Sequence, residues 1–125
     1  MGRVYQGTRT MGTGTSEIKA KPKRRFVVTR RFKTKLNEVQ EVGYQLFGKN
    51  VAVSFREKIL ERVVLVKEFP EMYPISRFIK STDKKQYRNI LFEKYYVIYS
   101  VTQTTIRIIT IIHQATDPKI IEKIR

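Results

Sequence analysis

The chain has 125 residues, no cysteine and one histidine, and its 26 Lys and Arg against 11 Asp and Glu give a net charge of +15. This length suits one domain with a modest core, and without cysteines a disulfide framework and thiolate metal sites are excluded, so no metal or cofactor is expected and a reducing cytoplasm is the expected location. No apolar run nears ~20 residues, so no membrane span is expected, and the excess of cations points to a polyanion or an acidic protein as partner.

The charge is uneven. Residues 1–35 hold eleven cations and a single acid, Glu17. Residues 1–23 are rich in Gly, Thr and Lys and nearly free of aliphatics, so they are expected to form a disordered basic arm ahead of a domain over 24–125. Met11 offers an alternative start. Arg25 to Arg30 reads as a short strand with Phe26 and Val28 on one side. From Arg31 the apolar spacing turns helical through Phe32, Leu36, Val39, Tyr44 and Phe47, with Gly48 as the stop. Asn50 is the expected cap of a second helix, whose apolar stripe is Val53, Phe55, Ile59, Val63 and Val66, and Phe69-Pro70 ends it. The two helices form an antiparallel hairpin with one greasy face.

Glu71 to Lys85 reads as a loop bearing Arg77, Lys80, Lys84 and Lys85. Its cations suit either a phosphate backbone or plain solvation. Gln86 to Phe92 is a strand candidate, and Tyr95 to Pro118 has the β-branched and aromatic content of two long strands broken at Thr102 to Thr105. A turn centred on Gln103 and Thr104 sets Val101 opposite Ile106, Tyr99 opposite Ile108 and Tyr95 opposite Ile112. One face then carries Tyr95, Val97, Tyr99, Val101, Ile106, Ile108, Thr110 and Ile112 and is expected to cover the core. The other carries Lys94, Tyr96, Ile98, Ser100, Arg107, Ile109, Ile111 and His113 and is expected to be the working surface. Asp117 is the expected N-cap of a short helix over 118–124. The fold class is therefore α+β: an N-terminal strand, a helical hairpin, a three-stranded antiparallel sheet and a helical tail, with the helices on one face.

The order of these elements, with VTRRFKTKLNEV, KEFPEMYP, YRNILFEKYYVIYSV and IRIITIIHQATDP, resembles the RelE/ParE superfamily of bacterial toxin–antitoxin toxins. The resemblance runs from Phe26 to the end. It implies a toxin held silent by a cognate antitoxin, with one of two targets. RelE-like members cut messenger RNA on the ribosome with a set of cations and a tyrosine; ParE-like members lack that set and trap DNA gyrase on broken DNA. Here the strand that carries alternating lysines in RelE reads Tyr87-Arg88-Asn89-Ile90, and the Tyr-Arg pair of the next strand is Tyr95-Tyr96. The end of the last strand, IIHQATD, is similar to ParE. The resemblance therefore implies a ParE-like gyrase poison. A RelE-like ribonuclease drawing on Lys80, Lys84, Arg88 and Arg107, or a plain nucleic-acid-binding protein, are the alternatives.

No catalytic residue is assigned. The residues expected to meet a target or antitoxin are Arg77, Lys80, Arg88, Tyr96, Arg107, His113, Gln114 and Asp117. Each also has a structural reading: Arg88 as an ion-pair partner, Arg107 as a solubilising mid-strand cation, His113 as a packing residue, and Asp117 as a helix cap.

Overall fold

The computed structural model describes residues 24–117 and Lys119. The expected arm over 1–23 and the body of the expected tail helix lie outside the described residues. The elements are β1 (Arg25–Val28), α1 (Arg30–Phe47), α2 (Lys49–Glu68), β2 (Gln86–Phe92), β3 (Tyr95–Val101) and β4 (Thr105–His113). The sheet order is β1-β4-β3-β2, with β2, β3 and β4 antiparallel and β1 added parallel to β4. The expected α+β architecture is present. The N-terminal strand joins the sheet edge in register from Arg25 opposite Thr105 to Val28 opposite Ile108.

Thr29 links strand to helix. Its Oγ1 accepts from the Phe32 backbone N–H at 3.1 Å, which caps α1, and donates to the Ile109 carbonyl at 2.7 Å. One hydroxyl thus relieves an orphan donor of the first helical turn and pins the helix start to β4. Gly48, at φ 90°, ends α1 by donating to the Tyr44 carbonyl and is also the cap of α2, which begins at once with Lys49, so the expected cap Asn50 lies inside the helix. Only glycine takes that backbone angle without strain, which is why the helices turn so sharply. Gly43 faces Ala52 across the hairpin, and the Arg56 guanidinium donates to Asn37 Oδ1 and Gln40 Oε1 at 2.9 and 3.0 Å.

The main core lies between the helical pair and one sheet face. Phe32, Leu36, Ile59, Val63 and Val66 meet Ile90, Val97, Tyr99, Ile106, Ile108 and Ile111 there. The stripe expected on α2 is buried at Ile59, Val63 and Val66, but Val53 is 36% exposed and Ala52 takes the inward position instead. At the end of α1, Tyr44 and Phe47 are exposed rather than packed.

The expected hairpin register holds from Val101–Ile106 to Tyr99–Ile108 and then slips by one at a β-bulge: Ile98 pairs with Thr110, Val97 with Ile111 and Tyr95 with His113. The extra residue in β4 corrects the expected faces. Ile111 turns to the helix side, Ile112 joins the opposite face beside Tyr96, and His113 comes alongside Tyr95. Bulges leave one residue outside the ladder, and here the carbonyl at that point, Ile109, is taken up by the Thr29 hydroxyl.

The opposite sheet face is not the open surface expected of it. The segment after α2 runs along β2, with Ser76 N–H bonded to Tyr87 O at 2.6 Å and Asn89 N–H to Pro74 O at 3.1 Å, and it then folds across the sheet. Ile79 closes a second small core with Tyr87, Ile98, Ile109 and Ile112, while Phe78 packs edge-on against Tyr96 at 5.2 Å. The 74–76 run also covers the outer edge of β2, protecting it from strand addition.

Candidate functional site

The sheet is narrower than the helical hairpin is long, so the far end of the hairpin overhangs the corner where β2 turns into β3. That corner is a two-residue turn, Glu93-Lys94, in which Glu93 takes φ 56°. Beneath the overhang lies a cleft of about 700 Å³, lined from the helices by Val39, Val42, Gly43, Leu46, Phe47, Val51 and Phe55 and from the sheet by Phe92, Tyr95 and His113. Aromatic rings make its floor. Phe55 lies 5.2 Å from Phe92 and 5.5 Å from Tyr95, and Tyr95 meets His113 edge to face at 5.2 Å and 87°. The Arg62 guanidinium sits 4.7 Å over the outer ring of this row, Phe92. A second cleft of about 610 Å³ on the other flank of α1 shares Val39, Val42, Tyr95 and His113 and adds Arg31, Lys35, Glu38 and Thr116. Adjoining at these shared residues, they make a channel along α1 from Arg31 to Phe47.

The rim of this channel is strongly apolar. Leu46, Phe47, Val42 and Val51 are 68%, 67%, 52% and 52% exposed. Side chains of those sizes present on the order of 400 Å² of apolar surface, a large patch for a monomer. Of these, Phe47 belongs to the apolar spacing read for α1 in the sequence. Nothing in that pattern tells that the sheet stops short of them.

The expected site residues do not converge. Arg88 faces the helix side, where its guanidinium donates to the carbonyls of Tyr73 at 2.6 Å and Glu71 at 3.3 Å and to Gln86 Oε1 at 3.0 Å. It clamps the loop after α2 to β2. Beside it the Tyr99 hydroxyl donates to the Pro70 carbonyl at 2.7 Å, and burial raises the phenol pKa well above its ordinary value while Arg88 pulls it back. Tyr96 is half-buried against Phe78; Arg77 and Lys80 are exposed in the loop over the second sheet face. Arg107 is exposed on that same face, at the opposite end of the sheet from the cleft.

His113, expected on the working face, instead borders the cleft. Its Nδ1 accepts from the Ala115 N–H at 3.0 Å, so the neutral ring carries its proton on Nε2. Gln114 N–H donates to the Lys94 carbonyl, tying the end of β4 to the corner turn. Asp117 Oδ1 accepts from the Lys119 N–H at 2.9 Å, as a helix cap would. The cleft residues Val42, Leu46, Phe47 and Val51 are not among those the sequence singles out. Among the described residues no group of three or more His, Cys, Asp or Glu is placed to hold a metal ion, and no helix is long and apolar enough to cross a membrane.

The fold is thus a small mixed sheet with a helical hairpin on one face and an apolar channel under its tip. Comparison places it more closely. The profile of the ParE toxin of type II toxin–antitoxin systems (parDE) matches residues 26–118, and the chain belongs to that family. Its fold is similar to that of a chromosomal ParDE toxin–antitoxin system from P. aeruginosa, at 17% identity and a TM-score of 0.59 over 73% of this chain and 96% of that one. It is also similar to an archaeal RelE–RelB complex from Pyrococcus horikoshii OT3, at 15% identity and a TM-score of 0.54 over 76% of this chain and 99% of that one. No curated protein matches it in sequence.

Proposed function

We propose that this member of the ParE family arrests growth by poisoning DNA gyrase through protein contacts in the cytoplasm, and that a cognate antitoxin silences it by seating an apolar segment in the channel beneath the tip of the helical hairpin. The observation that carries the antitoxin half is the exposure of Leu46 and Phe47 above an aromatic floor. An amphipathic helix with apolar residues at helical spacing is the occupant such a groove takes. Both similar structures are named for a toxin with its antitoxin, which supports this reading.

The gyrase half is supported by how the cations are used. Cleavage of RNA needs donors gathered where charge develops in the transition state. Here Arg88 is turned to backbone carbonyls and Tyr96 packs on Phe78, so the cations of the second face lack the arginine and tyrosine of such a set. A toxin without that set acts by binding. Purified protein added to gyrase and supercoiled plasmid is expected to accumulate linear, gyrase-bound DNA. Cleavage of messages on translating ribosomes, with plasmid and chromosome intact, would instead establish the RelE-like ribonuclease.

A further inference from the structure

The sheet face turned away from the helices carries a strip of cations at its hairpin-turn end, opposite the apolar channel. The paired register of all four strands aligns Tyr87, Ser100, Arg107 and Val27 in one row across that face. At ordinary strand spacing the row spans about 14 Å. The Lys85 ammonium stands 5.4 Å over the ring of Tyr87 at one end. Arg107 stands exposed along the row, and Arg25, exposed on the edge strand, lies one step on, paired with Thr105.

These cations have no carboxylates to answer. Among the described residues the ion pair formed is Lys35–Glu38 on α1, on the other side of the sheet. Asp83 is the single acid between Ser76 and Tyr87, a stretch that also brings Arg77, Lys80, Lys84 and Lys85. The Arg25 N–H bonds the Thr104 carbonyl at 2.8 Å, so the chain joins the sheet at the turn end, where the strip lies. The residues before Arg24 contribute five more cations and one acid.

We propose that this strip is a docking surface for the phosphate backbone of duplex DNA, held by Arg25, Lys85 and Arg107 without base reading. Charge complementarity selects the partner. A duplex fits better than a single strand, because the aromatics of this face offer no stacking platform: Tyr87 is only 4% exposed and Tyr96 lies against Phe78. The inference stands whether or not gyrase is the target, since it concerns the opposite end of the sheet from the antitoxin channel.

The test is fluorescence anisotropy of the full chain on a labelled 20-base-pair duplex of arbitrary sequence, across a salt series. Binding is expected to weaken steeply with salt, with a slope near 0.9 per phosphate engaged. Arg25→Glu with Arg107→Glu should weaken binding at least tenfold at low salt and lower the slope by about two. Arg25→Gln with Arg107→Gln should lower the slope alike with a smaller loss, which guards against misfolding in the first variant. Lys49→Glu with Lys58→Glu, the same charge change made on α2, should leave the slope as it was. Equal losses in the strip and α2 variants would reduce the effect to net charge and overturn the proposal. So would tighter binding to single-stranded RNA than to duplex DNA, or no duplex binding at low salt.

Discussion

At the root of the helical hairpin Phe32, Leu36, Val63 and Val66 are each no more than 2% exposed, whereas at its tip Leu46 and Phe47 are 68% and 67% exposed. The same amphipathic pattern runs through both. At the root, β1 and β4 lie beneath the helices and Thr29 fixes the first turn of α1 to β4. At the tip, the sheet has already ended at the Glu93-Lys94 turn. The contrast shows that an apolar stripe specifies a face to be covered but not what covers it. Where this chain supplies the cover, the stripe is core; where it does not, the stripe stays exposed, the condition on which the proposed antitoxin seat rests.

Substitution should separate the two ends sharply. Leu36→Ala, at the root, is expected to lower the unfolding free energy by about 2–5 kcal/mol, because it empties space in a sealed core. Phe47→Ser, at the tip, should change stability by no more than about 0.5 kcal/mol, as a surface substitution does. Denaturant melts of both variants check this. Equal losses would mean that the tip is packed in solution and that the two ends do not differ.

The anchor between strand and helix comes next in size. Thr29→Ala removes both the cap to Phe32 and the bond to the Ile109 carbonyl, and should cost about 1–2 kcal/mol. Thr29→Ser keeps both bonds and should recover most of that loss in the same melt.

Much of the sheet is legible in the residues alone. β2, β3 and β4 stand out because β-branched and aromatic runs are interrupted only at Glu93-Lys94 and around Gln103, and Gly48 announces the break between the helices. The bulge is not legible. Ile108 to Ile112 is apolar at almost every position, so alternation carries no phase there, and strict alternation puts Ile111, Ile112 and His113 on the wrong faces. Nor is the cover over the second face. Ile79 and Phe78 sit among Arg77, Lys80 and Lys84, a composition that reads as solvated loop. Arg88 looks free to bind because two of its partners, the carbonyls of Glu71 and Tyr73, are backbone atoms that leave no trace in sequence, and the third, Gln86, is a neutral side chain rather than an acid. The channel escapes for the reason that root and tip differ: Leu46 and Phe47 look like core until the sheet is seen to end.

Alkaline pH probes the root, whose core includes Tyr99. Burial favours the neutral phenol and raises its pKa above the ordinary 10.0, so the stability it contributes is whole below pH 10 and is lost as pH rises beyond that toward the folded-state value. The wild-type denaturation midpoint should therefore be insensitive to this group at neutral pH and fall above about pH 10. Tyr99→Phe should lose about 1 kcal/mol at neutral pH with its bond to Pro70, yet decline less steeply in base. Parallel alkaline limbs for the two proteins would contradict the assignment.

The smallest effect is a gain. A Cβ on Gly43 would meet Ala52 Cβ at 3.8 Å, ordinary van der Waals contact, so Gly43→Ala should stabilise the hairpin by about 0.5–1 kcal/mol through helix propensity. A loss on thermal melting would show that the helices approach more closely in solution.

The most direct measurement is calorimetric titration of the cognate antitoxin into the wild-type protein and into Leu46→Asp with Phe47→Asp. Tight binding is predicted for the first and at least a hundredfold loss for the second, with the two melting temperatures within a few degrees of each other. Undiminished affinity in the double variant would place the antitoxin elsewhere and leave the channel without its partner.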